Sequence, residues 1–220
     1  MVLDKLDLLI PPYKGSKFKV GNNVCAAGYF FLFQGEQTAL DYYMKGQLNA
    51  QKQTSNWTSI PNTIPPALLT YQQNYTSANL AAVDKEINSL DFQLSPGQYL
   101  YHGGNLFPPG VTQITTTRPL STSFSPVVAF LEAVNLSKAY NAGVINIYAI
   151  KVVNNSFKVF YFPPVTPLAH EDEVLFASGV CLRVVNNHSI APKHVGLWPV
   201  GNSSGNMKNV PVNVIEVETI

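Results

Sequence analysis

Charge is scarce in this chain. Only 12% of its 220 residues are Asp, Glu, Lys or Arg, and 14 basic against 13 acidic residues leave a formal net charge of +1. Nucleic acid and anionic membrane surfaces ask for clustered positive charge, so this balance gives no electrostatic case for either. A protein or small-molecule partner fits better. Cysteine is scarcer still: there are two, Cys25 and Cys181, each among apolar neighbours. Two cysteines make no disulfide framework, and both are expected as buried free thiols of a reducing compartment. Long hydrophobic runs are missing too. The longest, Val24 to Phe33, is interrupted by Gly28 and is too short to cross a bilayer. The N-terminus places Asp4, Lys5 and Asp7 before Leu8-Leu9-Ile10-Pro11-Pro12, unlike the charged head and apolar core of a signal peptide. No Gly-x-Gly-x-x-Gly follows a strand, no Gly-x-x-x-x-Gly-Lys or His-Glu-x-x-His occurs, and Ser123 does not sit in a Gly-x-Ser-x-Gly. The ordinary dinucleotide fold, the P-loop, the hydrolase elbow and the zinc-protease helix are therefore not expected, and no metal is.

What is present is apolar enough to fold: 46% of the residues are hydrophobic, which excludes global disorder, and the length suits one domain with a real core. Residues 1–65 read as an N-terminal extension packed on a main domain of residues 66–220. Val24–Phe33 fits a buried strand or a helix, and periodicity does not decide between them. Over residues 67–90 Leu80, Val83, Ile87 and Leu90 keep helical spacing, with Asp84, Lys85 and Glu86 facing away. A turn at Ser95-Pro96-Gly97 leads into a strand from Gln98 to Tyr101. Ser125 is a good N-cap and Pro126 a good first residue for a short helix, with Val127, Phe130, Leu131 and Val134 as its apolar face. Residues 144–153, 157–162, 174–176, 180–185 and 212–217 read as strands. Sixteen prolines and many short strands favour an antiparallel α+β domain over a doubly wound sheet.

The chemistry centres on Glu171-Asp172-Glu173, which runs straight into Val174-Leu175-Phe176. Two carboxylates two residues apart at the opening of a strand point to one side of it. Crowded carboxylates push their pKa values apart, so one can steady a developing positive charge while the other accepts a proton. Alone, such a cluster is a weak signal and reads first as a solvated turn. It is preceded by Tyr99-Leu100-Tyr101-His102-Gly103-Gly104, then by Leu120-Ser121-Thr122-Ser123-Phe124-Ser125-Pro126. An aromatic-polar-glycine strand, a Ser-Thr-Ser strand and Glu-x-Glu-Val-Leu-Phe, in that order over residues 66–220, resemble the mono-ADP-ribosyltransferases.

The resemblance implies an ADP-ribosyltransferase-like fold of two facing β-sheets around an NAD cleft, with helices ahead of them. It implies NAD as substrate and a protein side chain as acceptor. Glu173 would face the ribose as the catalytic carboxylate, and Ser121 would orient it. Glu171 would engage the acceptor, and a glutamate there goes with arginine. Tyr101, His102, Gly103, Thr122 and Ser123 would line the NAD site, Gly103 through its backbone to the nicotinamide amide. Tyr140 would stack on the nicotinamide. His102 departs from the pattern. Relatives with the same serine and glutamate motifs carry an arginine here for the NAD phosphates, whereas the diphtheria-toxin-like and poly-ADP-ribosylating branches carry a histidine for the ribose. Arg118 and Lys138 are candidates for the missing phosphate contact. The proline-rich loop 163–170 would recognise the protein target. Such a chain would be an effector, a toxin or a phage-encoded modifier.

Other readings compete. An NAD glycohydrolase could use the same scaffold, and a low-charge, Asn/Thr/Tyr-rich β protein could be a non-catalytic binding or virion module. A Ser123–His102–Asp172 triad has no elbow to support it. His170, Glu171 and Glu173 have no second histidine at ligand spacing.

Overall fold

The computed structural model describes residues 1–9, 22–32, 37–163, 168–197 and 206–220. Among them ten strands join one sheet: β1 (Val2–Leu3), β2 (Phe92–Leu94), β3 (Tyr99–Gly103), β4 (Gln113–Thr115), β5 (Leu120–Ser123), β6 (Ile145–Lys151), β7 (Lys158–Tyr161), β8 (Glu173–Phe176), β9 (Cys181–Gly196) and β10 (Met207–Thr219). Their spatial order is β1-β2-β7-β8-β5-β3-β6-β10-β9-β4. Pairing is antiparallel except between β1 and β2 and between β6 and β10. The sheet narrows in the middle, where β3 and β5 share one residue pair, Tyr101 with Ser123. The expected α+β architecture, with helices ahead of the strands, thus takes the form of two half-sheets hinged at a single pair.

The helices are α1 (Asn23–Leu32), α2 (Gln37–Gln53), α3 (Pro66–Gln73), α4 (Leu80–Leu90), α5 (Pro126–Val134) and α6 (Lys138–Ala142). The apolar run from Val24, ambiguous in sequence, is helical in α1. The stretch 67–90 is two helices, because Asn74 leaves helical geometry (φ −151°, ψ 79°) and Asn79 starts a new helix by accepting from Ala82 N–H at 3.2 Å. Val83 and Ile87 are buried as their spacing predicts. Asp84 and Glu86 do not face away. Glu86 accepts from the first-turn N–H groups of Ala67 and Leu68 (3.1 and 2.9 Å), and Asp84 accepts from Ser178 N–H (2.8 Å). Each carboxylate satisfies backbone donors that would otherwise lack partners.

β9 and β10 run well beyond 180–185 and 212–217. Their polar middle, Asn186 to Ser189, is exposed, so hydrophobic patterning does not mark it. The register slips between Val210 and Val212, where Pro211 has no N–H to give, and this irregularity lets the ladder continue on both sides. Cys181 is a half-buried free thiol with Sγ 3.3 Å from Thr115 Oγ1. The Cys25 side chain and the loop residues 164–167 lie outside the described residues.

α5 packs on β3 with a different face from the one its large residues suggest. Pro126, Ala129 and Ala133 are buried, whereas Leu131 is 53% exposed. The reason is Gly103: a Cβ there would lie 1.7 Å from Ala129 O and 2.9 Å from Ala133 N. Small residues and a glycine let the helix lie directly on the strand backbone. Gly103→Ala must therefore displace α5, and is expected to destabilise the chain by about 1–3 kcal/mol. A chemical melt compared with wild type checks this, and an unchanged midpoint would overturn the packing argument.

Candidate active site

The parting of β3 from β5 creates the site. Gly104 N–H donates to Asn146 O on the β6 side (3.0 Å). Because antiparallel bonding alternates, Gly103 turns its own N–H and C=O to the opposite edge, toward β5. Continued pairing beyond Tyr101–Ser123 would give Gly103 the Ser121 carbonyl. That carbonyl is instead 2.7 Å from His102 Nδ1. A ring nitrogen facing a carbonyl must be the N–H, so His102 is the Nδ1–H tautomer with a free acceptor lone pair on Nε2. Its burial, opposed by the Ser121 hydrogen bond and aided by Lys138 and Arg118, holds its pKa below the usual histidine value. The imidazole is therefore neutral at physiological pH.

A cavity of about 300 Å³ fills the gap, walled by Tyr71, His102, Gly103, Ser121, Glu171 and Glu173 among others. It shares Tyr71, Tyr75, His102, Ser121 and Lys138 with a second cavity of about 610 Å³ that extends to Arg118. Both fall in the size range of ligand sites, roughly 300–1,000 Å³.

β5 delivers its three hydroxyls to three different tasks. Ser121 Oγ donates to Glu173 Oε1 (2.6 Å), Thr122 Oγ1 donates to Val174 O (2.6 Å), and Ser123 Oγ donates to Glu171 O (2.5 Å). Thr122 braces the strand from within, while Ser123 pins the end of the turn that carries Glu171.

The acidic pair meets in a way the sequence did not predict. Glu171 ends a 3-10 turn and only Glu173 lies in β8, so the two are not alternate residues of one strand. Asp172 between them has φ +46°, a left-handed conformation rare for a residue with a side chain. It is held by Phe124 N–H donating to its carbonyl (3.3 Å) and by Tyr161 OH donating to Oδ1 (3.4 Å). Lys52 Nζ on α2 donates in turn to Tyr161 OH (2.5 Å). The strained link turns both glutamates into one cavity.

Glu173 is only 6% exposed. Burial raises its pKa to about 7, the Ser121 hydrogen bond opposes the rise, and Glu171 and Glu132 add to it. Burial also raises Glu171, with Glu132 adding and His170 opposing.

One expected residue, Tyr140, is not brought to the site. Tyr140 on α6 is not a wall residue of either cavity, and its ring lies 4.4 Å from Lys208 Nζ. Tyr101 borders the cavity, but its hydroxyl is engaged by Asn23 Oδ1 (3.0 Å) and its ring is buried. The aromatic wall comes instead from Tyr71 and Tyr75, whose rings meet edge-on at 5.2 Å. Sequence reading also missed Glu132, which lines the cavity from α5 and pairs with Lys138 at 3.1 Å. Its place one helical turn after Ala129 would have pointed to it, had the small residues been taken as the buried face.

A glutamate whose pKa is higher in the folded than in the unfolded chain holds its proton more tightly when folded. Stability then falls as pH rises from about 4.5 to about 7 and levels off above, by about 3 kcal/mol for Glu173. Glu173→Gln keeps the shape and removes the ionisation. It is expected to melt several degrees above wild type at pH 8, with the gain shrinking toward pH 5. Equal melting temperatures at pH 8 would contradict the buried-carboxylate assignment.

No protein-family model matches the chain, and no curated protein matches it. Among solved structures it is similar to the Vis toxin, an ADP-ribosyltransferase from Vibrio splendidus, at 18% identity over 69% of this chain and 61% of that one, with a TM-score of 0.37. It is similar to the enzymatic component C2-I of the C2 toxin of Clostridium botulinum at 14% identity over 96% and 49% of the two chains, with a TM-score of 0.39. Exoenzyme S of Pseudomonas aeruginosa, solved with human 14-3-3 protein beta and carba-NAD, matches at 16% identity over 68% and 70%, with a TM-score of 0.37. The chain spans about three fifths of the first of these and about half of the second. Likenesses of this size carry no functional weight, and the functional reading rests on the site's own residues.

Proposed function

We propose that the chain is an NAD-dependent mono-ADP-ribosyltransferase that breaks the nicotinamide–ribose bond and passes ADP-ribose to an arginine side chain of a protein. The observation that carries this is the Glu173 carboxylate, buried and bonded to Ser121 at the floor of a cavity whose wall includes Gly103 and His102. The order of the three sequence motifs that converge there supports the same reading.

In this scheme the C–N bond breaks with its electron pair going to the nicotinamide nitrogen, which becomes neutral, and positive charge develops on the ribose. An ionised Glu173 stabilises that charge more in the transition state than in the ground state. Ser121 holds the carboxylate in place. The Gly103 backbone edge suits the nicotinamide amide, and His102 Nε2 can accept from a ribose hydroxyl. Arg118, with Nη1 2.8 Å from Tyr75 OH, and Lys138 supply positive charge along the second cavity for the diphosphate. Glu171 takes the proton that a guanidinium must lose before it attacks the ribose carbon. The Asp172 turn, stayed by Tyr161 and Lys52, keeps the two glutamates in their separate roles.

Incubation with labelled NAD and cell extract, followed by mapping of modified residues by mass spectrometry, tests the reading. Label on arginine is expected, and absence of both transfer and NAD cleavage would defeat it. Glu173→Gln should lower NAD cleavage by about 100-fold or more, the scale of removing a principal electrostatic stabiliser. Wild-type kcat/KM should fall below about pH 7, as Glu173 takes up its proton. Glu171→Gln should lose transfer more than NAD hydrolysis, and equal loss would merge its role with that of Glu173. His102→Ala should weaken NAD binding by about 1–2 kcal/mol in calorimetric titration. A lowered melting temperature with unchanged NAD affinity would make His102 a purely structural residue.

A further inference from the structure

Glu132 and Lys138 form an ion pair at the place where the two cavities meet. Lys138 lines both cavities, whereas Glu132 lines only the smaller one, together with Glu171 and Glu173. The Nζ–Oε2 distance is 3.1 Å, and the side chains are 49% and 45% exposed. An ion pair this exposed is weak and has little packing to hold it, so a stronger anion within reach of Lys138 can break it. Lys138 sits just after a backbone kink, where Leu136 (φ 51°) and Ser137 (φ 61°) are left-handed between α5 and α6. Its position is thus set independently of the helix that carries Glu132.

On the reading that the paired cavities bind NAD, we propose that Lys138 couples the two substrates: the nucleotide diphosphate draws Lys138 off Glu132, and the freed carboxylate seats a cationic acceptor beside Glu171. Without nucleotide, Lys138 neutralises Glu132 and the acceptor end of the cavity has one fewer negative charge to offer. With nucleotide bound, Lys138 neutralises phosphate, and a guanidinium entering between Glu132 and Glu171 replaces the lysine as their counter-charge. The electrostatic reach of Glu132 within the cavity is visible in its effect on Glu171 and Glu173, whose proton affinities it raises. A cation seated there therefore also favours the ionised form of Glu173. The exchange gives an order of binding, nucleotide first, and limits acceptor capture by enzyme that has no ADP-ribose to transfer. By linkage, nucleotide and acceptor must tighten each other by the same factor.

Calorimetry with two unreactive probes tests the coupling: ADP-ribose for the diphosphate and arginine methyl ester for the acceptor. Saturating ADP-ribose is expected to tighten ester binding to the wild type about fivefold, the lower end of ordinary coupling. In Lys138→Met the ester should bind without nucleotide as tightly as it binds the loaded wild type, and ADP-ribose should add nothing. In Glu132→Gln the ester should bind weakly in both states. Melting curves establish that each variant is folded. Bound ADP-ribose with no change in ester affinity overturns the coupling and leaves the NAD reading standing. Failure of the folded wild type to bind ADP-ribose or to cleave NAD overturns both.

Discussion

β3 and β5 stay paired at Tyr101 and Ser123 and part immediately beyond, because the His102 imidazole takes the Ser121 carbonyl that the ladder would otherwise give to Gly103. A sheet that zipped up here would have no cavity. The same substitution of a side-chain bond for a backbone bond fixes the histidine tautomer and leaves a glycine backbone edge facing the gap. α5 can cover that gap closely only because Gly103 has no Cβ to meet Ala129 O. The cavity, its polar lining and the helix that brings Glu132 therefore follow from two adjacent residues.

Burying carboxylates works against stability, and the structure offsets this with specific bonds. Glu173 is almost wholly buried and has one hydroxyl donor, Ser121. A pKa of about 7 is the consequence, since water is excluded and two further glutamates stand near. Asp172 adds backbone strain to the same turn. A left-handed aspartate persists only where the surroundings over-determine it. Ser123, Phe124, Tyr161 and Lys52 do so here.

Residues of the N-terminal segment take part in that support. Asp41 on α2 accepts from Ser125 Oγ (2.7 Å), the cap of α5, and is itself paired with Lys45 (3.0 Å). Lys52 reaches Tyr161, and Trp57 packs edge-on against Phe124 and Tyr161 at 5.4 and 5.6 Å. Strand β1 adds to the sheet beside β2, and Gln98 bonds Leu6 N–H at 2.8 Å. These contacts tie α2 to the cap of α5 and to the acidic turn, so its charged residues act on the site's scaffold and not in the cavity lining.

The sequence by itself determined the local elements whose signals are local. Ser125-Pro126 starts α5, Val83 and Ile87 fill one helical face, and the runs read as strands at 144–153 and 174–176 contain β6 and β8. It also marked many of the residues that line the cavity, through three short motifs whose order resembles that of the mono-ADP-ribosyltransferases. Only the tertiary structure decided what depends on neighbours distant in sequence. The left-handed Asp172 turn, and not strand alternation, brings Glu171 beside Glu173. Gly103 selects the alanine face of α5, so bulky Leu131 is left outside. Tyr71 and Tyr75 wall the cavity while Tyr140 turns to Lys208, because the kink at Leu136 and Ser137 sets the direction of α6. Residue type fixes what a side chain can do; which partner it meets depends on backbone geometry set elsewhere in the fold, and no short window of sequence contains that.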